Sequence, residues 1–174
     1  AHMNDRVLLF VGDDYEDLEL QYPRLRLLEA GFRPVLAGLA AGERYRGKHG
    51  YPQRSDAAVA EVEAGGFAGV ICPGGWMPDK LRREPGALAA IRDCDRRGVL
   101  VASICHGGWL CISAGVVRDR RYTGSLGIRD DLVNAGARFE DAEVLVDGHH
   151  VSSRKPEDLP AFMKACLEVL GARR

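Results

Sequence analysis

The segment that most plainly carries chemistry is Ala102–Gly108, in which an apolar run turns at Cys105 into a predicted helix. A cysteine at such a corner stands clear of the sheet, and the amides of the new helix point towards it, which favours a thiolate nucleophile. Gly107 and Gly108 permit a tight turn and the close approach of another group. A buried structural cysteine is the alternative, because free cysteine is among the most buried residue types.

The apolar pattern on either side of this corner predicts alternating strands and helices. Continuous apolar runs bounded by glycine or proline indicate strands buried on both faces, and helically spaced segments ending at glycine indicate helices. Predicted strands occupy 6–12, 33–39, 67–72, 99–104, 137–139, 143–147 and 149–152; predicted helices occupy 17–30, 79–97 with a division at Pro85, 105–114, 127–135 and 156–170. We expect Pro23 to kink or restart the first helix, and 40–55 to form an exposed excursion that could include a hairpin.

This alternation predicts an α/β fold with a mostly parallel sheet covered by helices on both faces. Ligands in such sheets collect beyond the carboxyl ends of the strands, where the order of connection reverses. The loops at that edge are Gly12–Glu16, Pro73–Asp79 and Cys105–Gly108.

Length and composition limit the classes of protein. The 174 residues predict one domain, 4–174, with Ala1-His2-Met3 interpreted as the remnant of an expression tag. Apolar residues at 46% and charged residues at 28% exclude disordered, collagen and coiled-coil classes, and a net charge of -1 offers nucleic acid or anionic membranes no global attraction. The sequence has neither an apolar span of membrane length nor the apolar core of a signal peptide, so we expect a cytoplasmic protein. Its five cysteines lack CxxC spacing, so we expect reduced thiols.

Several motifs, in order along nearly the whole chain, carry a family resemblance: Ile71–Gly75, Ala102–Gly107, Ile128–Asp131 and Val151–Arg154. Together they resemble the ThiJ/PfpI (DJ-1) superfamily, and Tyr15–Pro23 with Asn134–Gly136 points to its PfpI-like branch. Members of that branch have been described as intracellular cysteine peptidases, glyoxalases and deglycases. The resemblance implies a flavodoxin-like sandwich with a nucleophile elbow at Cys105, and self-association into a dimer or hexamer.

The resemblance places the nucleophile on Cys105, the adjacent histidine on His106, and the glutamate that follows the first strand on Glu16. Both loops end parallel strands, so Glu16 and Cys105 can reach one cleft. A carboxyl that donates a hydrogen bond to a thiolate must be protonated, which predicts a raised pKa for Glu16 and a lowered pKa for Cys105. On spacing alone, Glu16 would be a carboxylate at a helix N-terminus, and His106 a solvent-facing first helical residue.

Two further roles follow from the resemblance. A neighbouring subunit's carboxylate that orients the histidine aligns with Asp79, although the family more often has glutamate there, and an N-cap is the alternative. The backbone amides of Gly75 and His106 resemble the family's oxyanion hole.

Four residues near the corner depart from the family's common pattern: Trp76, Trp109, Gly108 and Ser125. They define a candidate substrate pocket for an aromatic or hydrophobic ligand. Packing in a core or interface is the commoner role of tryptophan, and Ser125 could simply be a turn residue.

The function implied is that of a cofactor-independent cysteine hydrolase or lyase, similar to glyoxalase III, a deglycase or a peptidase, acting on a small electrophile or a glycated amine or thiol. One alternative is a non-enzymatic redox or stress-response protein whose Cys105 oxidises to sulfinate. Another is a specialised hydratase or lyase of the same superfamily. We expect no metal site, because adjacent strand residues such as His149 and His150 face opposite sides, and no nucleotide, because phosphate-binding glycine motifs are absent.

Overall fold

The computed structural model describes residues 4–63 and 65–173. These residues contain eleven strands and six α-helices. The interpretation of residues 1–3 as a tag remnant lies outside them. The strands are β1 (Arg6–Phe10), β2 (Arg33–Gly38), β3 (Arg44–Arg46), β4 (Pro52–Arg54), β5 (Ala57–Ala58), β6 (Gly69–Cys72), β7 (Leu100–Ile104), β8 (Arg121–Tyr122), β9 (Arg138–Phe139), β10 (Leu145–Asp147) and β11 (His150–Ser153). The helices are α1 (Asp17–Glu29), α2 (Met77–Leu81), α3 (Pro85–Arg97), α4 (Gly108–Ala114), α5 (Arg129–Asn134) and α6 (Leu159–Arg173).

The central sheet has the order β10-β11-β7-β6-β1-β2-β5. Every pair is parallel except β10 with β11, which form an antiparallel hairpin across Gly148-His149 and correspond to the predicted strands 143–147 and 149–152. Two small sheets, β3-β4 and β8-β9, lie outside it, and β3-β4 confirms the hairpin within 40–55. The predicted α/β fold with a mostly parallel central sheet is confirmed.

The inner strands are buried on both faces, as their continuous apolar sequences require. All residues of β6 and β7 are buried, and α1 packs with α6 while α3 packs with α4. The four cysteines other than Cys105 are buried free thiols. In the described part of the chain, no helix combines the length and apolar character that crossing a membrane requires.

Helix α1 differs from its sequence pattern. It continues through Pro23, so the expected restart is wrong, and tertiary packing holds the helix despite the missing backbone donor. The leucines whose spacing predicted the helix, Leu18, Leu25 and Leu28, are about half exposed, whereas Glu19 is fully buried. The face of α1 that meets the rest of the protein is therefore not its most apolar face.

The chain leaves β1 for β2 and β5 on one side and returns to β6 on the other. The order of connection thus reverses between β1 and β6, which makes this edge the favoured ligand position of an open α/β sheet. The loops that follow β1, β6 and β7 meet there.

Candidate active site

Cys105 occupies a sharp corner between β7 and α4. Its φ is 60°, a left-handed conformation that costs a non-glycine residue energy and persists only where the surroundings impose it. A Cβ on Gly107 would lie 2.0 Å from the Cys72 carbonyl oxygen, so the turn requires glycine there. The predicted corner is confirmed, with a short 3-10 turn over 105–107 before α4.

Backbone amides surround the thiol of Cys105. The N–H groups of His106 and Gly75 both hydrogen-bond to it, and each lowers its pKa. Gly75 can present its amide because its φ is 77° and a Cβ there would lie 2.3 Å from the Asp14 carbonyl oxygen. The two amides expected to form an oxyanion hole therefore point at the reactive sulfur.

The carboxyl group next to this thiol belongs to Glu19. Its Oε1 accepts the Gly74 amide at 2.9 Å, and Oε2 is buried with no hydrogen-bond partner among the described residues. The side chains of Glu19 and Cys105 interact, and each shifts the pKa of the other. Burial, followed by the negative charge of Glu16, raises the pKa of Glu19 to about 8. A buried carboxyl that is protonated at neutral pH is thus in contact with the candidate nucleophile.

The expectation that Glu16 reaches Cys105 is corrected by the structure. Glu16 is the N-cap of α1, and its Oε2 accepts the Glu19 amide at 2.8 Å. The side chain folds back on its own helix, which is the helix N-terminus alternative, and the position facing Cys105 lies three residues later. The raised carboxyl pKa predicted for Glu16 is found at Glu19.

The expected lowering of the Cys105 pKa is also wrong. Burial, then the charge of Glu19, raises the pKa of Cys105 to about 12, more than the two amide hydrogen bonds lower it. Two strongly interacting groups lose their protons in steps that belong to the pair. The Glu19–Cys105 pair holds two protons at neutral pH and loses the first near pH 8.

Aromatic rings enclose His106. Its ring centroid lies 5.0 Å from Trp76 and 5.0 Å from Trp109, and the Trp109 indole N–H donates to Asp131 Oδ2 at 2.9 Å. His106 Nδ1 lies 3.3 Å from Cys105 Sγ. Burial, then the positive charge of a nearby lysine, lowers the pKa of His106, so its imidazole is neutral at pH 7. The structure places both predicted pocket tryptophans against His106, the residue that follows the nucleophile.

That lysine is Lys48, which no motif or spacing in the sequence singles out. Its positive charge lowers the pKa values of both Glu19 and His106. The loop between β3 and β4 is not a free excursion: Lys48 N–H donates to the Tyr15 carbonyl at 2.9 Å, and the Asp17 carboxylate accepts two amides of the loop, each at 2.9 Å. These bonds hold the ammonium group near the Glu19–Cys105 pair.

A polar cavity of about 600 Å³ opens beside this loop. It is lined by Asp13, Asp14, Arg46, Gly47, Lys48, His49, Gly50 and Lys80. The cavity lies between the loop after β1 and the β3-β4 hairpin, and Lys48 is the lining residue whose charge acts on Glu19 and His106.

The remaining predicted residues have separate positions. Asp79 lies in the first turn of α2, half exposed, and pairs with Arg83 at 2.7 Å rather than capping the helix. Gly108 is buried, with Ile128 beside its Cα, so its placement in the pocket is wrong. The Ser125 hydroxyl accepts an amide two residues on, and the Ser125 N–H donates to the Cys105 carbonyl at 3.2 Å, so Ser125 shapes the turn beside the nucleophile.

The fold and the site together define a class of protein. Its members have an α/β sheet and one reactive cysteine, which lies at a strained strand-to-helix corner and faces a buried glutamate. Within that class, the sequence matches the DJ-1/PfpI family over residues 5–169. The chain belongs to the DJ-1/PfpI family.

Individual relatives agree with this assignment. The chain is 44% identical to a deglycase of Pyrococcus abyssi over 165 residues, which are 95% of this chain and 99% of the relative. It is 38% identical to protein/nucleic acid deglycase 2 of Escherichia coli over 172 residues, 98% and 100% of the two chains. A two-domain crystal structure from Anabaena variabilis, with DJ-1/ThiJ/PfpI-like and ferritin-like domains, superposes with a TM-score of 0.93 at 36% identity over 96% of this chain and 48% of that one. The chain thus spans about half of that protein.

Proposed function

We propose that this protein is a cysteine-dependent enzyme that converts a reactive dicarbonyl, or the adduct of one with an amine or thiol, into a hydroxy acid. The observation that carries the proposal is the Glu19–Cys105 pair under the amides of Gly75 and His106. A nucleophile, a proton acceptor and two oxyanion donors meet at one point, which is the minimum set for addition to a carbonyl carbon.

The first step is addition of the thiol to the carbonyl. As the carbon–sulfur bond forms, the proton of Cys105 moves to the ionised carboxylate of Glu19, and the carbonyl π electrons move to oxygen. The N–H groups of Gly75 and His106 already point at the sulfur and are placed to stabilise that oxyanion. Glu19 is the base, so this step requires its deprotonated form.

The second step moves a proton between neighbouring carbons. With methylglyoxal, the hemithioacetal loses the proton on the carbon that bears sulfur, and the adjacent carbonyl carbon gains one, which produces a lactate thioester without an external oxidant. Glu19 and the neutral imidazole of His106 are the groups within reach to carry these protons. Water then cleaves the thioester, which releases lactate and restores the thiol. With an amine or thiol adduct, the carbon–nitrogen or carbon–sulfur bond breaks first in the site: the hydroxyl of the adduct becomes the aldehyde carbonyl, its proton goes to the departing amine or thiol, and Cys105 adds to that aldehyde.

The relatives from Pyrococcus abyssi and Escherichia coli that are named deglycases favour an adduct as substrate. The experiment compares free methylglyoxal, its adducts with N-acetyl-lysine and N-acetylcysteine, and a peptide, with Cys105→Ala as control. A scavenger removes free methylglyoxal during the assay. If the enzyme acts directly on the adduct, the adduct should then disappear faster than its spontaneous rate of dissociation. If decay never exceeds the spontaneous rate, the enzyme is a glyoxalase; if neither dicarbonyl nor adduct is converted, the proposed function is wrong.

We further propose that Asp79 acts on His106 across a dimer or larger assembly. Within one chain its carboxylate is half exposed and, among the described residues, forms its ion pair with the exposed Arg83, so a second copy could engage it. Trp76, with 58% of its surface exposed, lies beside the His106 ring and would be covered in the same contact.

A further inference from the structure

A second cluster of ligating side chains lies at the amino edge of the sheet, away from Cys105. His149 Nε2 lies 2.8 Å and His150 Nε2 2.7 Å from the same oxygen, Oδ1 of Asp95. The argument that adjacent histidines face opposite sides is wrong here, because β11 begins at His150 and His149 belongs to the preceding turn. Both imidazoles therefore turn to one carboxylate, with ring centroids 4.6 Å apart.

We propose that Asp95, His149 and His150 form a binding site for a divalent transition-metal ion of the zinc class. One ligand atom from each residue lies within 4.8 Å of the other two. Zinc bonds of about 2.0–2.2 Å place tetrahedral ligands about 3.3 Å apart, so the two nitrogens need to move about half an ångström from the carboxylate oxygen. Three protein ligands leave a fourth position for water.

The site has an outer partner that orients one ligand. The hydroxyl of Tyr122 hydrogen-bonds to Nδ1 of His150, and both side chains are buried. Metal-binding histidines commonly fix their second nitrogen in this way. A metal-bound Nε2 carries no proton, so in the bound state the ring proton of His150 lies on Nδ1 and donates to the Tyr122 oxygen.

The charges nearby permit a divalent ion. Arg120 lies 3.8 Å from Asp95 and 3.9 Å from Asp147, so two carboxylates face one guanidinium, a formal charge of -1 before the histidines are counted. Arg120 also donates to the Asp147 carbonyl oxygen at 3.3 Å, and that bond can hold it aside when an ion binds to Asp95. The competing explanation is that Arg120 is itself the cation for which the cluster is built.

The side chains of Asp95 and His149 are 25% and 16% exposed, whereas that of His150 is 1% exposed. An ion can therefore reach the cluster from solvent past the first two residues and meet a rigid third ligand. His150 pairs with Val101 at the start of β7, and Cys105 follows the far end of that strand, so the two sites lie roughly 10 Å or more apart.

The test uses Co²⁺ with chelator-treated Cys105→Ala protein, which removes the accessible thiol from competition. We expect one Co²⁺ per chain with visible ligand-field absorption, displacement by Zn²⁺, and a higher melting temperature with Zn²⁺. In this background, His149→Ala should weaken binding on the order of 100-fold, Tyr122→Phe by about 10-fold or more, and Arg120→Met should strengthen it. His49→Ala is the control for the other group of possible ligands in the described residues, Glu16, Asp17 and the exposed His49 of the β3-β4 loop, and should bind as the parent does.

Circular dichroism verifies that each variant is folded, and Asp95→Asn provides a second ligand change of nearly equal shape. Three results overturn the proposal: no binding to folded Cys105→Ala protein, equal binding by the His149→Ala and His49→Ala variants, or binding seen only when Cys105 is present. Arg120→Met distinguishes the metal site from the competing explanation. If the cluster serves only to bind Arg120, this variant should be less stable and should gain no affinity for Co²⁺.

Discussion

The two ends of β7 hold clusters of titratable groups that are built in different ways. At the carboxyl end the backbone dominates: Cys105 is held at a φ of 60°, and the amides of Gly75 and His106 point at its sulfur. At the amino end side chains alone meet, with both histidines on the carboxylate of Asp95.

This difference shows what each site can do. A backbone-defined corner cannot relax without unfolding the strand-to-helix turn, so it keeps an oxyanion hole aligned during a reaction. The side chains at the amino end can separate by half an ångström through small rotations, which suits a cluster that exchanges one partner for another. Because the clusters are roughly 10 Å apart, substitutions in one should leave the other nearly unaffected.

The largest expected effect is that of Cys105→Ala. Loss of the nucleophile should reduce turnover of dicarbonyl or adduct by at least about 1000-fold, while the affinity for Co²⁺ at Asp95 stays the same. Steady-state kinetics and metal titration on the same preparation measure both. Turnover within about tenfold of the parent would exclude covalent catalysis by this thiol.

Next in size is Glu19→Gln, compared with Glu16→Gln. The amide at position 19 cannot accept the thiol proton, so turnover should fall on the order of 100-fold or more. Glu16→Gln should cost far less activity, because Glu16 caps α1, and Glu16→Ala should lower stability by about 1 kcal/mol. The reverse ranking of kcat/KM in the two glutamine variants would restore Glu16 as the thiol's partner.

Mixing Cys105→Ala with Asp79→Ala, which should have low activity if its carboxylate orients His106, tests whether Asp79 acts between subunits. A Cys105→Ala subunit supplies Asp79 to an Asp79→Ala subunit that still has its thiol, so unfolding and refolding them together should recover activity. Random pairing into dimers predicts about one quarter of the parent's activity. Recovery no greater than the sum of the separate variants would place Asp79 outside the site.

The smallest expected effect is that of Lys48→Met. The ammonium group favours the charged form of Glu19, so its removal should raise the carboxyl pKa above about 8 and move the rise of kcat/KM to higher pH by less than about one unit. Lys80→Met is the matched control, since Lys80 lines the same cavity but does not shift the pKa of Glu19. Equal pH profiles for both variants would remove Lys48 from the electrostatics of the site.

The sequence predicted the fold and the nucleophile because both depend on local signals. Buried strands such as β6 and β7 are continuous apolar runs. The apolar run that ends at Cys105 is followed by two glycines, which indicates a sharp strand-to-helix turn. The edge of the sheet at which the loops meet follows from parallel strand order alone.

The roles that were predicted wrongly or missed depend on tertiary contacts that the sequence does not determine. Glu16 and Glu19 are one helical turn apart, and only the capping bond decides which carboxylate faces inward. Lys48 reaches the site because Asp17, 31 positions earlier, holds its loop. The metal-ligand geometry of His149 depends on β11 beginning one residue later than predicted.

The central claim, that Glu19 and Cys105 titrate and act as one pair, is tested most directly by the pH dependence of iodoacetamide alkylation at Cys105. The parent should show a rise in rate centred near pH 8, where the pair loses its first proton, because above that pH Glu19 is able to accept the thiol proton. Glu16→Gln should keep this rise but at a lower pH, because the negative charge of Glu16 no longer raises the pKa of Glu19. Glu19→Gln should lack that rise. Superimposable profiles for the parent and Glu19→Gln, or loss of the rise in Glu16→Gln alone, would contradict the account.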